Sequence, residues 1–197
     1  CGNALDRPDD TSARATAAGR SPVASDAERR QLTVMFCDLV GSTALSGRVD
    51  PDDLRQVVRR YQAACADVIG RFDGHVAQYL GDGLLVYFGY PAAHEDDAQR
   101  AVAAGLGIVD AVGPLSLGVR IGIHTGPVVI GQVGDGTRSE RLALGETPNL
   151  AARLESAAEP DTVMISEATY RLVRDGFACQ DLGSRTFKGV EKPVHVY

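Results

Sequence analysis

The chain has 197 residues, 26 of them acidic and 20 Lys or Arg, for a formal net charge of −6. That length supports one ordinary domain with a real core, and a content of 44% hydrophobic and 23% charged residues is that of a globular chain. The acidic balance argues against nucleic acid as a partner, because nucleic acid selects basic surfaces, but it leaves room for a phosphate ligand in a local basic pocket. Cys1, Cys37, Cys65 and Cys179 form no CxxC pair, which argues against a disulfide scaffold and for a reducing, cytoplasmic setting. No apolar run approaches the ~20 residues of a membrane helix, and no signal peptide is visible. A first residue of Cys rather than Met suggests a piece of a longer polypeptide with other domains.

Residues 1–28 are rich in Ala, Asp, Arg, Ser and Pro without apolar periodicity, and read as a flexible linker. "LTVMFCDLV" then suits a central strand covered on both faces. Asp50 is placed to cap a helix, with Pro51 at its first position and Asp52 and Asp53 at the positive end of the dipole. Apolar residues from Leu54 to Phe72 keep helical spacing until Asp73-Gly74. "HVAQYLGDGLLVYFGY" reads as a hairpin turning at Gly81-Asp82-Gly83. "HEDDAQRAVAAGLGIVDAVG" is a second amphipathic helix, stopped by Gly113-Pro114. Val119, Ile121 and Ile123 alternate with Arg120, Gly122 and His124 as in a strand, and Thr125-Gly126-Pro127 suggests a turn into another. "ETPNLAARLESAAE" is a short helix with Thr147 as N-cap and Pro148 in the first turn. A strand (TVMIS), a helix (EATYRLVRD) and two closing strands (FACQDLGSRTF and PVHVY) follow. The order suggests an α+β, ferredoxin-like βαββαβ core with additional C-terminal helices and strands.

In that topology the first strand neighbours the hairpin, so Asp38 at its tip and Asp82 in the turn could converge. Two close carboxylates repel and call for a cation, and oxygen ligands beside phosphate suit Mg²⁺ or Mn²⁺. Gly41, Ser42 and Thr43 follow Asp38 as a small-residue loop whose backbone N–H groups could face a phosphate. Each acid taken alone reads more readily as a turn or capping residue. Asn149 and Arg153 stand i, i+4 on one helical face, and singly read as a surface pair. Lys188 precedes Gly189 in what also reads as an ordinary hairpin turn. His124 reads as a packed or hydrogen-bonded histidine.

The segments "LTVMFCDLVGST", "YLGDGLLVYFG", "VRIGIHTGPVVIG", "GETPNLAARLE" and "FKGVEKPVHVY", in this order over residues 29–197, resemble the catalytic domain of class III adenylyl and guanylyl cyclases. The resemblance implies a cyclase domain at 29–197 that converts ATP to 3′,5′-cyclic AMP and pyrophosphate. It implies Asp38 and Asp82 as ligands of two Mg²⁺ or Mn²⁺, Asn149 as the ribose-orienting residue and Arg153 as the group that stabilises the reacting phosphoryl. Lys188 would meet the terminal phosphates, joined by Arg138 or Arg141. It also implies a head-to-tail homodimer in which the aspartates and the Asn/Arg pair of one site come from different subunits.

Two positions depart from the adenylyl pattern. Gln78 stands where a base-reading lysine is expected and Leu142 where its aspartate partner is expected, and the Glu and Cys of guanylyl cyclases are missing too. Leu142 cannot accept a hydrogen bond from an adenine amino group, so base selectivity is expected to relax. ATP remains the expected substrate on family grounds, with GTP as the alternative, and a weakly active or silent nucleotide-binding regulatory domain as the competing class. "CGNAL" at the start resembles the last knuckle of a zinc ribbon, a module that can precede such domains in bacterial proteins. One Cys cannot hold zinc alone.

Overall fold

A computed structural model describes residues 28–42, 50–133 and 140–197, with the backbone alone described at 132, 133, 140 and 141. The linker expected at 1–27, Thr43 and Arg138 lie outside the described residues, as does the side chain of Arg141. Glu28, taken above as the last linker residue, already belongs to the first strand.

The framework is a sheet of β1 (Glu28–Leu39), β2 (His75–Leu80), β3 (Gly83–Phe88), β4 (Val119–Val133), β5 (Glu140–Leu144) and β6 (Thr162–Ile165). Its strand order is β2-β3-β1-β4-β5, with β6 parallel to β4. β1 runs antiparallel to both β3 and β4, so the apolar run seen in the sequence is central. One face of β1, with Met35, Cys37 and Leu39, packs with Ile121 and Ile123 under α1 (Pro51–Arg71) and α2 (Asp97–Val112). The other face, with Leu32 and Val34, packs with Val128, Ile130 and Ala151 under α3 (Glu146–Ala157). Alternation along the strand puts Asp38 on this second face. α4 (Glu167–Val173) follows β6, and a two-stranded sheet of β7 (Ser184–Arg185) and β8 (Val194–His195) closes the chain. The α+β reading with a ferredoxin-like core therefore holds.

α1 starts where its capping residues place it, since the Asp50 carboxylate accepts from Asp52 N at 2.9 Å. Three local expectations fail. Thr125-Gly126-Pro127 is no turn, because β4 runs unbroken through it and pairs Gln31 with Pro127 and Leu32 with Gly126 along β1. Thr147 is not the N-cap of α3; Gly145 is, and the Thr147 hydroxyl donates to Pro127 O at 2.8 Å. Of the stretch expected as the first closing strand, only Ser184–Arg185 forms a strand.

The first two failures share a cause. α3 lies directly on β4, and the glycines there serve close approach rather than turning. A Cβ on Gly126 would stand 2.6 Å from Thr147 Oγ1, and one on Gly122 would collide with the backbone of Ala151 and Glu155. Leu154 and Ala151, both fully buried, complete the contact. Gly122→Ala must push α3 off the sheet, and we expect it to destabilise the fold by about 3 kcal/mol. Urea denaturation checks this, and wild-type stability would contradict it.

Candidate active site

Asp38 sits one residue from the end of β1 and is half-buried. Asp82 occupies the turn between β2 and β3, and that turn is fastened to α1 by Gln62 Nε2 donating to Gly81 O at 2.8 Å. Because β1 pairs with β3 (Cys37 opposite Leu84), the turn comes to rest beside Asp38. A Cβ on Gly83, next to Asp82, would lie 3.2 Å from Asp38 Oδ1. The structure thus brings the two expected aspartates together.

Their electrostatics are those of an incompletely compensated pair. Burial raises the Asp38 carboxyl above its usual range, and the Asp82 charge raises it further. Asp82 Oδ2 is buried and has no hydrogen-bond partner. A buried carboxylate oxygen without a donor is costly, and a divalent cation between the acids would remove both penalties, so the residues fit such an ion. Among the described residues no cluster of three or more His, Cys, Asp or Glu side chains is arranged around a metal position. Further ligands would have to come from backbone, water or substrate oxygens, as is usual for Mg²⁺.

Two charged residues beside the pair escaped the sequence reading. Arg120 lies directly opposite Asp38 on β4, and its Nε is buried without a partner. Glu155 on α3 is half-buried, and its carboxyl is raised by burial, then by the Asp38 charge, with Arg120 acting in the opposite sense. The signal for Arg120 was an arginine inside an apolar alternation; the signal for Glu155, an acid i+2 from Arg153, was weak.

A second locus lies at the start of α3. Asn149 is exposed there and lines a cavity of about 340 Å³ with His124, Glu146, Leu150 and the segment Gly189–Lys192. Arg153 follows one turn later, also exposed. Lys188 is exposed at the edge of that segment, but the cavity wall is formed by the four residues after it. His124 is hydrogen-bonded as expected: Nδ1 lies 2.7 Å from Ser166 Oγ, and burial lowers its pKa to about 4, so it is neutral at pH 7. Gly41 and Ser42 follow β1 beside Asp38, with Val40 N donating to Gly118 O at 2.8 Å. Gln78 and Leu142 are not brought together, for β2 and β5 are opposite edges of the sheet.

A family model described as the adenylate and guanylate cyclase catalytic domain matches residues 25–197. The chain belongs to that family. Among solved structures, the adenylyl cyclase CyaB from P. aeruginosa is 32% identical with a TM-score of 0.85, the match covering 87% of this chain and 94% of that one. The guanylyl cyclase Cya2 is 35% identical with a TM-score of 0.78, covering 86% of this chain and 91% of that one. Among curated proteins, Adenylate cyclase 1 of Rhizobium meliloti (strain 1021) is 28% identical over 181 residues, 86% of this chain and 27% of that protein. The chain spans well under half the length of the curated relatives it matches. Relatives of this cyclase domain thus include both adenylate and guanylate cyclases.

The acid pair makes a prediction about stability. The folded-state pKa of Asp38 is raised, so its ionisation opposes folding in full above that pKa, and the opposition fades as pH falls from there to the ordinary carboxylate range. Without metal at pH 7, Asp38→Asn should melt a few degrees higher than wild type. The gap should close as pH falls through the raised Asp38 pKa, where wild type also carries a neutral group. Calorimetry across pH 4–8 in chelator measures it, and a lower melting temperature for the variant at pH 7 would contradict the reading.

Proposed function

We propose that this domain converts a purine nucleoside triphosphate, ATP in the first place and GTP as the alternative, into the 3′,5′-cyclic nucleotide and pyrophosphate, at sites shared between two copies of the chain. The observation that carries this is the paired carboxylates with an orphaned buried oxygen, in a chain of the cyclase family. The need for two copies has its own support. Gln78 and Leu142, taken as base-reading partners, lie at opposite sheet edges, about 19 Å apart across the sheet at ~4.8 Å per strand and further offset along it, since Gln78 is in register with Gly122 and Leu142 with Gly131. One copy keeps them apart, so a single base would meet both only if a second copy supplied one of them.

Asp38 and Asp82 would hold two Mg²⁺ or Mn²⁺. Bound there, the ions supply charge for the triphosphate and acidify the ribose 3′-hydroxyl. The 3′-oxygen loses its proton and bonds to the α-phosphorus, and the α–β bridging oxygen leaves with pyrophosphate. Asn149 of the second copy orients the ribose, which fixes the line of attack. Arg153 of that copy meets charge that grows on the phosphoryl oxygens, so it acts on kcat more than on binding. Arg120, with a buried unpartnered Nε beside the acids, and Lys188, next to the cavity-lining segment, would meet the β- and γ-phosphates. The backbone after Asp38, through Gly41 and Ser42, would border the same phosphates. We assign residues 29–197 to this catalytic module, working within a longer polypeptide in the cytoplasm.

Selectivity follows from the base-reading positions. The Gln78 amide can both donate and accept hydrogen bonds, and the Leu142 side chain offers none. Purified protein assayed with Mg²⁺ and with Mn²⁺ should form cyclic nucleotide, with kcat/KM for ATP and GTP within roughly a hundredfold. A preference of several thousandfold would show the base pocket misassigned. No cyclic product from either nucleotide, in a folded dimer, would overturn the enzymatic reading.

A further inference from the structure

The acid pair has a third acidic neighbour that the proposed chemistry does not use. Glu155 reaches it from α3, whose backbone at that residue is pressed onto β4 at Gly122. Arg120 lies two residues before Gly122 on the same face of β4 and opposite Asp38 on β1. One guanidinium therefore stands among three carboxylates: Asp38, Asp82 and Glu155. Its charge opposes the burial and the neighbouring acids that raise the carboxyls of Asp38 and Glu155. Its Nε is buried and unpartnered, so its hydrogen bonding is incomplete. Glu155 Oε2, for its part, accepts only from the Ser156 hydroxyl at 3.2 Å among the hydrogen bonds described.

Such a cluster has a built-in competition. An arginine that settles on Asp38 occupies the position a divalent cation needs. An arginine held from the α3 side leaves the acids to the metal and stays near the phosphates. We propose that Glu155 is a positioning residue that holds Arg120 away from Asp38, keeping the acid pair open to metal. The proposal rests on the reading of Asp38 and Asp82 as metal ligands. Glu155 touches no reacting atom in it and acts through Arg120.

A double-mutant cycle on metal binding separates this from its rivals. Mn²⁺ alone is titrated into the 197-residue protein, and free ion is read by electron paramagnetic resonance. Glu155→Gln keeps shape and removes charge, and it should weaken Mn²⁺ binding roughly five- to tenfold. In an Arg120→Met background the same change should have almost no effect, because no arginine remains to collapse onto Asp38. Equal weakening in both backgrounds would mean that Glu155 acts on the ion directly by its charge, and would overturn the proposal. So would unchanged affinity in Glu155→Gln. Glu155→Asp, charged but shorter, should not restore wild-type affinity, and melting temperatures confirm that each variant is folded. Asp38→Ala is the control for the underlying reading: if it still binds Mn²⁺ as wild type does, the assignment of the metal ligands has failed, whatever the cycle shows.

Discussion

Repulsion between two carboxylates is the constraint around which this molecule is arranged. Asp38 and Asp82 come from distant parts of the chain, and only the pairing of β1 with β3 puts them side by side. Left to themselves they would separate or share a proton. The sheet does not let them separate, since β1 is hydrogen-bonded on both edges and buries Val34, Met35 and Cys37 almost completely. Burial energy of the order of 2 kcal/mol for each large apolar side chain thus holds in place a charge arrangement that disfavours the fold. Strain of this kind belongs at functional sites, where the ligand relieves it.

The rest of the site follows from how α3 lies on the sheet. Glycines at 122 and 126 let the helix touch β4 without intervening side chains. One face of α3 is then buried through Ala151 and Leu154, which leaves Asn149 and Arg153 exposed. Glu155, near its end, turns back toward the acids. In the proposed dimer the helix would serve two places: its exposed face would offer polar groups to another copy, while Glu155 and Arg120 lie beside the acid pair of its own copy. A shared-site dimer makes sense of a polar i, i+4 pair that a monomer would have no use for.

Much of this was legible in the sequence, for identifiable reasons. The central strand, both long helices and the hairpin at Asp82 showed because periodicity and capping residues act locally. The pairing of Asp38 with Asp82 followed from topology once the element order was known. What failed depended on contacts between distant segments. Gly126-Pro127 has the composition of a turn, yet the long pairing with β1 and the weight of α3 keep β4 straight. Thr147 resembles a cap, but its hydroxyl is taken by Pro127 O. Arg120 showed in the sequence only as a charge inside an apolar alternation, since its significance lies in facing Asp38 across a strand pair. The separation of Gln78 from Leu142 likewise needed the strand order.

Mixing two inactive variants tests the shared site most directly. On the proposed assignment Asp38→Ala would lack a metal ligand and Asn149→Ala the ribose-orienting amide, so neither homodimer would have an intact site. In a mixed dimer the two lesions fall in one site, and the other keeps every group. Co-refolded or co-expressed variants, with mixed dimers confirmed by differential tags, should therefore recover a substantial part of the wild-type cyclase rate. Recovery absent from verified mixed dimers, or full activity in either variant alone, would contradict the account.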